Sequence, residues 1–204
     1  VTTGIPRPGG RSARVRAAAL DATLAELVAH GYARLSVDAV AARSGVGRAT
    51  LYRRWGGREG LVLDAVESFA AQRADVPNTG NFDRDLRLWT RTILRMLTDR
   101  DSAALVRAVF GVPDSPAVVQ LRHRFWRTRL ELVRPVVERA EQRGDVPAGT
   151  DAAEVIRHAG APLYYRLLVL AEPLTVEAAD LAAAVTATAA RAGVFTRPRP
   201  GRPG

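Results

Sequence analysis

Apolar residues recur along most of this chain at the spacing of a helix. Leu20, Leu24, Leu27 and Val28 fall at i, i+4, i+7 and i+8, which predicts a first helix over residues 11–30 with Gly31 as its stop. Ser36 stands as an N-cap before Val37, Val40 and Ala41, the apolar side of a short second helix ending at Gly45. A third helix is expected over 48–55, with Leu51 and Trp55 turned inward and arginines turned outward. Gly56 and Gly57 interrupt, and then Glu59, Leu61, Val62, Ala65, Val66 and Phe69 outline a longer fourth helix with an acidic first turn. Beyond a linker at 76–81, helical spacing returns over 83–98, 102–110, 115–143, 151–170 and 175–192. Pro135 and Pro162 fall inside two of these segments and are expected to kink or divide them. No run alternates as a strand does, so the expected class is all-α with about nine helices. The Pro/Gly-rich ends, 1–10 and 197–204, read as a flexible arm and a flexible tail.

Composition narrows the function. With 204 residues and 47% hydrophobic positions the chain is long enough to bury a true core. The most apolar stretch, 159–171, is interrupted by Arg166, so no membrane span is expected. The absence of cysteine removes disulfides, thiolate nucleophiles and Cys-ligated zinc, and makes a reducing, cytoplasmic setting the simpler expectation. Three histidines leave little for metal or base chemistry, and neither a metal nor a cofactor is expected.

The formal charge is +9, and all thirty basic residues are arginine. Residues 1–58 carry ten of them against only Asp21, Glu26 and Asp38, whereas 59–196 carry seventeen against eighteen acids. A basic unit on a near-neutral body points to a polyanion at one end, either nucleic acid or an anionic membrane. Residues 1–20 also have the arginines and lack the acids of a targeting peptide, but Pro6, Pro8, Gly9 and Gly10 would break a targeting helix.

Two short helices joined by a tight glycine turn, with arginines on the outside of the second, make a unit able to lay a helix in a DNA major groove. Residues 36–55 meet each requirement: Ala41 is small where the helices cross, Gly45 permits a left-handed turn and Leu51 plugs the core. The run from Leu20 to Leu61 closely resembles the DNA-binding domain of tetracycline-repressor-type (TetR/AcrR) transcriptional regulators. Gly31-Tyr32, Val40-Ala41, Gly45-Val46, Thr50-Leu51-Tyr52 and Arg58-Glu59 followed by Leu61 carry that resemblance. A weaker likeness to one branch of the family's effector domains lies in 161–168 and in Ala192-Gly193-Val194-Phe195. One departure is Gly57, where many relatives cap helix four with Ser or Asn. Gly60, in the first turn of the same helix, is expected to leave that start pliable and to serve as a pivot.

The resemblance implies that helix three enters the groove and that Arg58 matches the family's phosphate-binding lysine. Chemistry assigns Arg48 and Arg53 to base edges, since an arginine bidentate to guanine is the commonest specific contact. Ser36, Thr50, Tyr52 and Arg54 suit phosphate, and Gly47 and Ala49 share the helix N-terminus, where free N–H groups meet phosphate. Tyr52 serves equally as packing. With Arg14 and Val37, these complete the set expected to meet DNA. Arg7, Arg11, Arg14 and Arg16 either enter a minor groove or track phosphate.

The last helix is rich in small residues, namely Ala178, Ala179, Ala182, Ala183, Ala184, Ala187, Ala189 and Ala190. With Leu181 and Val185 this reads as half of a four-helix homodimer interface through the last two helices, which the resemblance also implies; packing within one chain is the alternative. The resemblance further implies a cavity for an unknown small-molecule effector. Trp89, Phe110, Trp126 and Tyr165 are candidate lining, with His123, Arg129 and His158 as polar anchors. The same aromatics fit an ordinary core, as does His158.

The expected organisation is therefore an arm at 1–10, a helix-turn-helix DNA-binding domain at 11–60, a ligand-binding and dimerisation domain at 61–196 and a tail. The expected function is a sequence-specific regulator of transcription, a repressor released from a palindromic operator in double-stranded DNA by its ligand. An enzyme is disfavoured: Gly45 to Thr50 hints at a phosphate loop, but it follows a helix and lacks the P-loop lysine. A non-specific architectural DNA-binding protein is the remaining rival.

Overall fold

The computed structural model describes residues 10–72, 76–110 and 116–196. The described residues form nine α-helices and one π-helical turn. These are α1 (Gly10–Arg34), α2 (Val37–Ser44), α3 (Arg48–Trp55), α4 (Arg58–Gln72), α5 (Phe82–Thr98), α6 (Arg100–Phe110), α7 (Pro116–Arg143), α8 (Ala152–Tyr165), the turn Arg166–Leu170, and α9 (Val176–Arg191). Extended pairing among them is limited to a single bridge between Thr150 and Thr196. Of the arm expected at 1–10, Gly10 belongs to α1 and the rest, including Arg7, lies outside the described residues, as do the tail expected at 197–204 and Ser115.

The capping residues account for the boundaries. Ser36, Asn81, Asp151 and Thr175 each accept backbone N–H bonds at the start of a helix. Gly31 breaks the helical path inside α1 with φ 71° and ψ 170°, so the regular helix stops at that glycine. Of the two prolines expected to kink or divide their segments, Pro135 leaves α7 undivided, whereas the segment holding Pro162 changes to a π turn at Arg166. α7 runs through Pro135 because Val133, Val136, Val137 and Ala140 beside it are buried completely or nearly so, and hold the helix in place. α8 also continues past Pro162, then widens into the π turn and stops at Ala171, whose φ is 52°.

The chain forms two compact units. One takes the described residues up to Gln72 together with Ala108–Phe125; the other takes those up to Arg107 together with Trp126 onward. In the first, α1 packs on α4 and α2, and α3 rests on α2 and α4. Leu20, Leu27, Val40, Leu51, Leu61 and Val62 form its core. Arg43 of α2 donates to the buried Glu26 of α1 at 2.7 Å. In the second unit α5, α8 and α9 pack on one another, and Arg91 of α5 grips Asp180 of α9 through two bonds of 2.7 and 2.6 Å.

The alanines of α9 divide between two faces. Ala179, Ala182, Ala183, Ala187 and Ala190 are buried within the unit, so packing within the chain claims most of the face that composition suggested for a dimer. Leu181, Ala184, Val185 and Thr188 point outward.

Gly60 proves to be a contact rather than a loose joint. A Cβ at this position would lie 2.0 Å from the Trp55 carbonyl oxygen, so α4 closes on the end of α3 only because no side chain intervenes. Helix propensity alone would make Gly60→Ala stabilising by up to about 1 kcal/mol. The clash reverses the sign, and urea unfolding should show a loss of about 1–3 kcal/mol; a variant as stable as the parent would mean that this approach is not required.

Candidate nucleic-acid interface

The position of α3 is set by the turn before it. Ser36 Oγ accepts from Ala39 N at 3.1 Å and starts α2. Gly45, in the left-handed region at φ 66°, returns its N–H to Ala41 O at 3.0 Å and turns the chain toward α3. Gly47 then begins α3 with no side-chain cap, its carbonyl accepting from Thr50 at 2.9 Å and Leu51 at 3.2 Å. Of the first turn, the N–H groups of Arg48 and Ala49 are thus left open toward an anion.

Leu51 is fully buried and fixes the rotation of α3. Its opposite side presents Arg48, Ala49, Tyr52, Arg53 and Arg54, all exposed, with Thr50 half-buried. Tyr52 stands 48% exposed, which argues against packing. Val37 is a correction: its side chain is buried in the core, so only its backbone N–H, at the start of α2, is left to meet phosphate.

The arginines are not equivalent. Arg54 donates to Ser12 O and Oγ, both at 3.2 Å, and lies 5.1 Å over the Trp55 ring. Arg58 lies 4.6 Å over the Tyr32 ring and 3.3 Å from Glu59. Arg14 donates to Gly10 O at 3.0 Å within its own helix. Arg48 Nε meets Asp38 Oδ1 at 2.6 Å, a partner that counting charges did not single out. Arg53 is exposed on α3 beside them.

Beneath this surface Asp64 of α4 accepts from Arg16 of α1 and, at 2.9 Å, from the Trp55 indole Nε1. Burial pushes this carboxyl up, but the bonds from Arg16 and Trp55 outweigh it and leave it below its ordinary value. Glu59 is also held low, first by its own backbone N–H, then by Arg58 and Tyr32.

In the second unit Trp89, Arg129, Trp126 and Tyr164 come together. The Arg129 guanidinium lies 4.8 Å over the Trp89 ring and both residues are buried. Trp126 and Tyr164 meet edge to face at 5.0 Å. Burial pulls Arg129 down while leaving it cationic, and pushes the enclosed Tyr164 phenol up to about 12. Trp89 Nε1 is buried with no hydrogen-bond partner among the described residues. Tyr164 was missed by the sequence reading, which took its neighbour instead. Tyr165 is 54% exposed and does not join the group. His123 is exposed, and His158 stands on the outside of α8 with its ring 4.8 Å from Phe195. Phe110 closes α6, but its side chain lies outside what is described. No group of three or more acids and histidines able to hold a metal occurs among the described residues, nor any helix long and apolar enough to cross a membrane.

A short helix, tightly turned from its predecessor and presenting arginines outward, defines a helix-turn-helix DNA-binding unit. The family model "Bacterial regulatory proteins, tetR family" matches residues 19–65, and "Tetracyclin repressor-like, C-terminal domain" matches 76–189. The chain is 33% identical over 146 residues to the HTH-type transcriptional regulator AqdR of Rhodococcus erythropolis, covering 72% of this chain and 70% of that one. In fold it is similar to the TetR family transcription regulator SCO0332, with a TM-score of 0.70, 23% identity and coverage of 86% of this chain and 97% of that one. A second likeness in fold is to SmeT in its triclosan complex, with a TM-score of 0.58, 20% identity and coverage of 93% and 98%. The chain belongs to the TetR family of transcriptional regulators, which are DNA-binding proteins and not enzymes.

The Asp64 bonds yield a pH test. A carboxyl held below its unfolded value near pH 4 stabilises the fold above that pH, and the contribution disappears as pH falls through the folded value. The gap in thermal midpoint between the parent and Asp64→Asn should be widest above about pH 5 and shrink below about pH 4; an equal gap at every pH would remove the charge from the account.

Proposed function

We propose that the protein is a cytoplasmic repressor that binds a palindromic operator as a homodimer and leaves it when a small molecule occupies the body. The carrying observation is the outward row of α3, where Arg48, Ala49, Tyr52 and Arg53 are exposed on a helix whose other side is anchored by Leu51. In this reading Arg48 and Arg53 meet base edges, while Ser36, Thr50, Tyr52, Arg54, Arg58 and the backbone at Val37 and Gly47 hold phosphates. On the same reading the first unit, with α1 to α4 up to Gln72, is the DNA-binding one, and the second, built on α5, α8 and α9, is the sensing and dimerising one.

Dimerisation is supported by the apolar residues left on the outside of the second unit. Tyr165, Leu168, Val169 and Leu170 are exposed at the end of α8 and in the π turn, and on α9 Leu181 and Val185 stand 62% and 61% exposed. Ala184, Val185, Thr188, Ala189 and Ala192 line a shallow groove of about 450 Å³, open to a helix of a second copy. A two-fold pair would place two reading helices about 34–36 Å apart, one turn of DNA, which makes the operator a palindrome.

An effector site is supported by the cluster of Trp89, Trp126, Arg129 and Tyr164, where a buried indole N–H lacks an acceptor among the described residues. SmeT, which shares the fold, is solved as a complex with triclosan. A coupling of about 1–3 kcal/mol, a factor of 5–150 in affinity, suffices to switch occupancy.

Selection of random duplex DNA by the purified protein at about 150 mM salt tests the reading, because non-specific binding weakens there. A palindrome should be enriched. Binding that persists only at low salt, with no preferred sequence, would instead mark an architectural protein. Leu181→Glu should halve the mass seen by sedimentation and lower operator affinity at least tenfold, because a charge at the centre of an apolar contact must be desolvated; an unchanged dimer would place the interface elsewhere.

A further inference from the structure

Asp38 is an acid on a surface that otherwise gathers arginines. It occupies the second position of α2, and its carboxylate reaches across the turn to Arg48, the first residue of α3, with Oδ1 2.6 Å from Nε. Both side chains are about 60% exposed. An exposed pair of this kind adds little to stability, so holding the fold together does not explain it. Its cost is evident as well: a negative charge beside the reading helix repels the DNA backbone. What the pair does supply is position. An unpaired arginine on a short helix samples many rotamers and takes the nearest phosphate, whereas one in ion contact with Asp38 keeps its guanidinium beside the turn between α2 and α3. The terminal nitrogens of an arginine are the pair that meets guanine O6 and N7 end-on.

From this geometry we propose that Asp38 is the positioning residue for Arg48, turning it from a phosphate clamp into a reader of one guanine in each half-site. The inference rests on the reading of α3 as the recognition helix. Asp38 touches no base. It neutralises Arg48 toward the backbone and keeps its guanidinium beside the turn before DNA arrives, so part of the ordering is complete in the free protein. None of the neighbouring arginines stands in the same relation to an acid of α2. Arg54 is tied to Ser12 and Arg58 to Tyr32 and Glu59, contacts that draw both toward the unit they stand on.

The test measures binding of the selected operator and of its single-base variants by the full chain, as parent, Asp38→Asn, Arg48→Ala and the double variant. The parent should prefer its base at one half-site position by roughly tenfold, and Arg48→Ala should erase that preference. Asp38→Asn should erase most of it while leaving or raising affinity for unrelated DNA, with the salt slope of non-specific binding steeper by up to about one. The double variant should show the same base preference as Arg48→Ala, since Asp38 acts through that side chain. Asp38 also lies in the first turn of α2, where negative charge favours the helix. Asp38→Glu keeps that charge and should keep the thermal midpoint and recover part of the discrimination. If Asp38→Asn discriminates as the parent does while Arg48→Ala does not, the positioning role is overturned and the recognition helix stands. If Asp38→Asn changes base preference equally without Arg48, Asp38 acts on DNA directly and the proposal fails. If Arg48→Ala leaves every preference intact, the assignment of Arg48 and the role built on it fail together.

Discussion

The reading helix is eight residues long, too short to keep its shape alone in water, so its position depends on one close approach. The Trp55 carbonyl, at its last residue, sits where a side chain on Gly60 would be. The Trp55 ring is held from the other side by its bond to Asp64, which also takes Arg16 of α1. Three helices are thereby joined at the C-terminal end of α3, and Leu51 fixes its rotation from within. The N-terminal end, from Gly47 to Thr50, is left exposed or half-buried, as the proposed contact with a groove requires. A helix anchored at one end and open at the other is held by its scaffold in the orientation recognition requires.

The charge of the DNA-binding unit is sorted by its few acids. Glu26 takes Arg43, Asp64 takes Arg16, Glu59 takes Arg58, and Asp38 takes Arg48. A count of net charge treats these as subtractions from a basic patch. In three dimensions each assigns a place to one arginine, and the surface becomes a pattern instead of a uniform field.

Local features were the most legible in the sequence. Ser36, Gly45 and Thr175 announce their roles because capping and left-handed turns depend on one residue and its neighbours. All nine helices follow from apolar spacing, with ends displaced by a few residues. Features that depend on a second element were harder to read. Gly60 looks like a weak helix residue until the carbonyl of α3 is placed against it, and Val37 looks available to DNA until its burial is known. Tyr164 and Tyr165 are adjacent in sequence, yet one joins Trp126 and the other faces outward, a distinction that requires the rotation of α8. The alanines of α9 divide for the same reason, since a helix with small residues on every side does not declare which face is buried.

If the pairing proposed for the apolar outside of the second unit holds, it links occupancy to the amount of protein made. Leu168, Val169 and Leu170 lie in a row in the π turn, with Leu181 and Val185 exposed on α9. A chain that must cover such a surface with its own copy is scarce in active form when dilute, because pairing falls with the square of concentration. Under those conditions a twofold change in synthesis alters the population of paired chains nearly fourfold, and a gene controlled by such a protein responds to its abundance as a threshold even when no ligand is present.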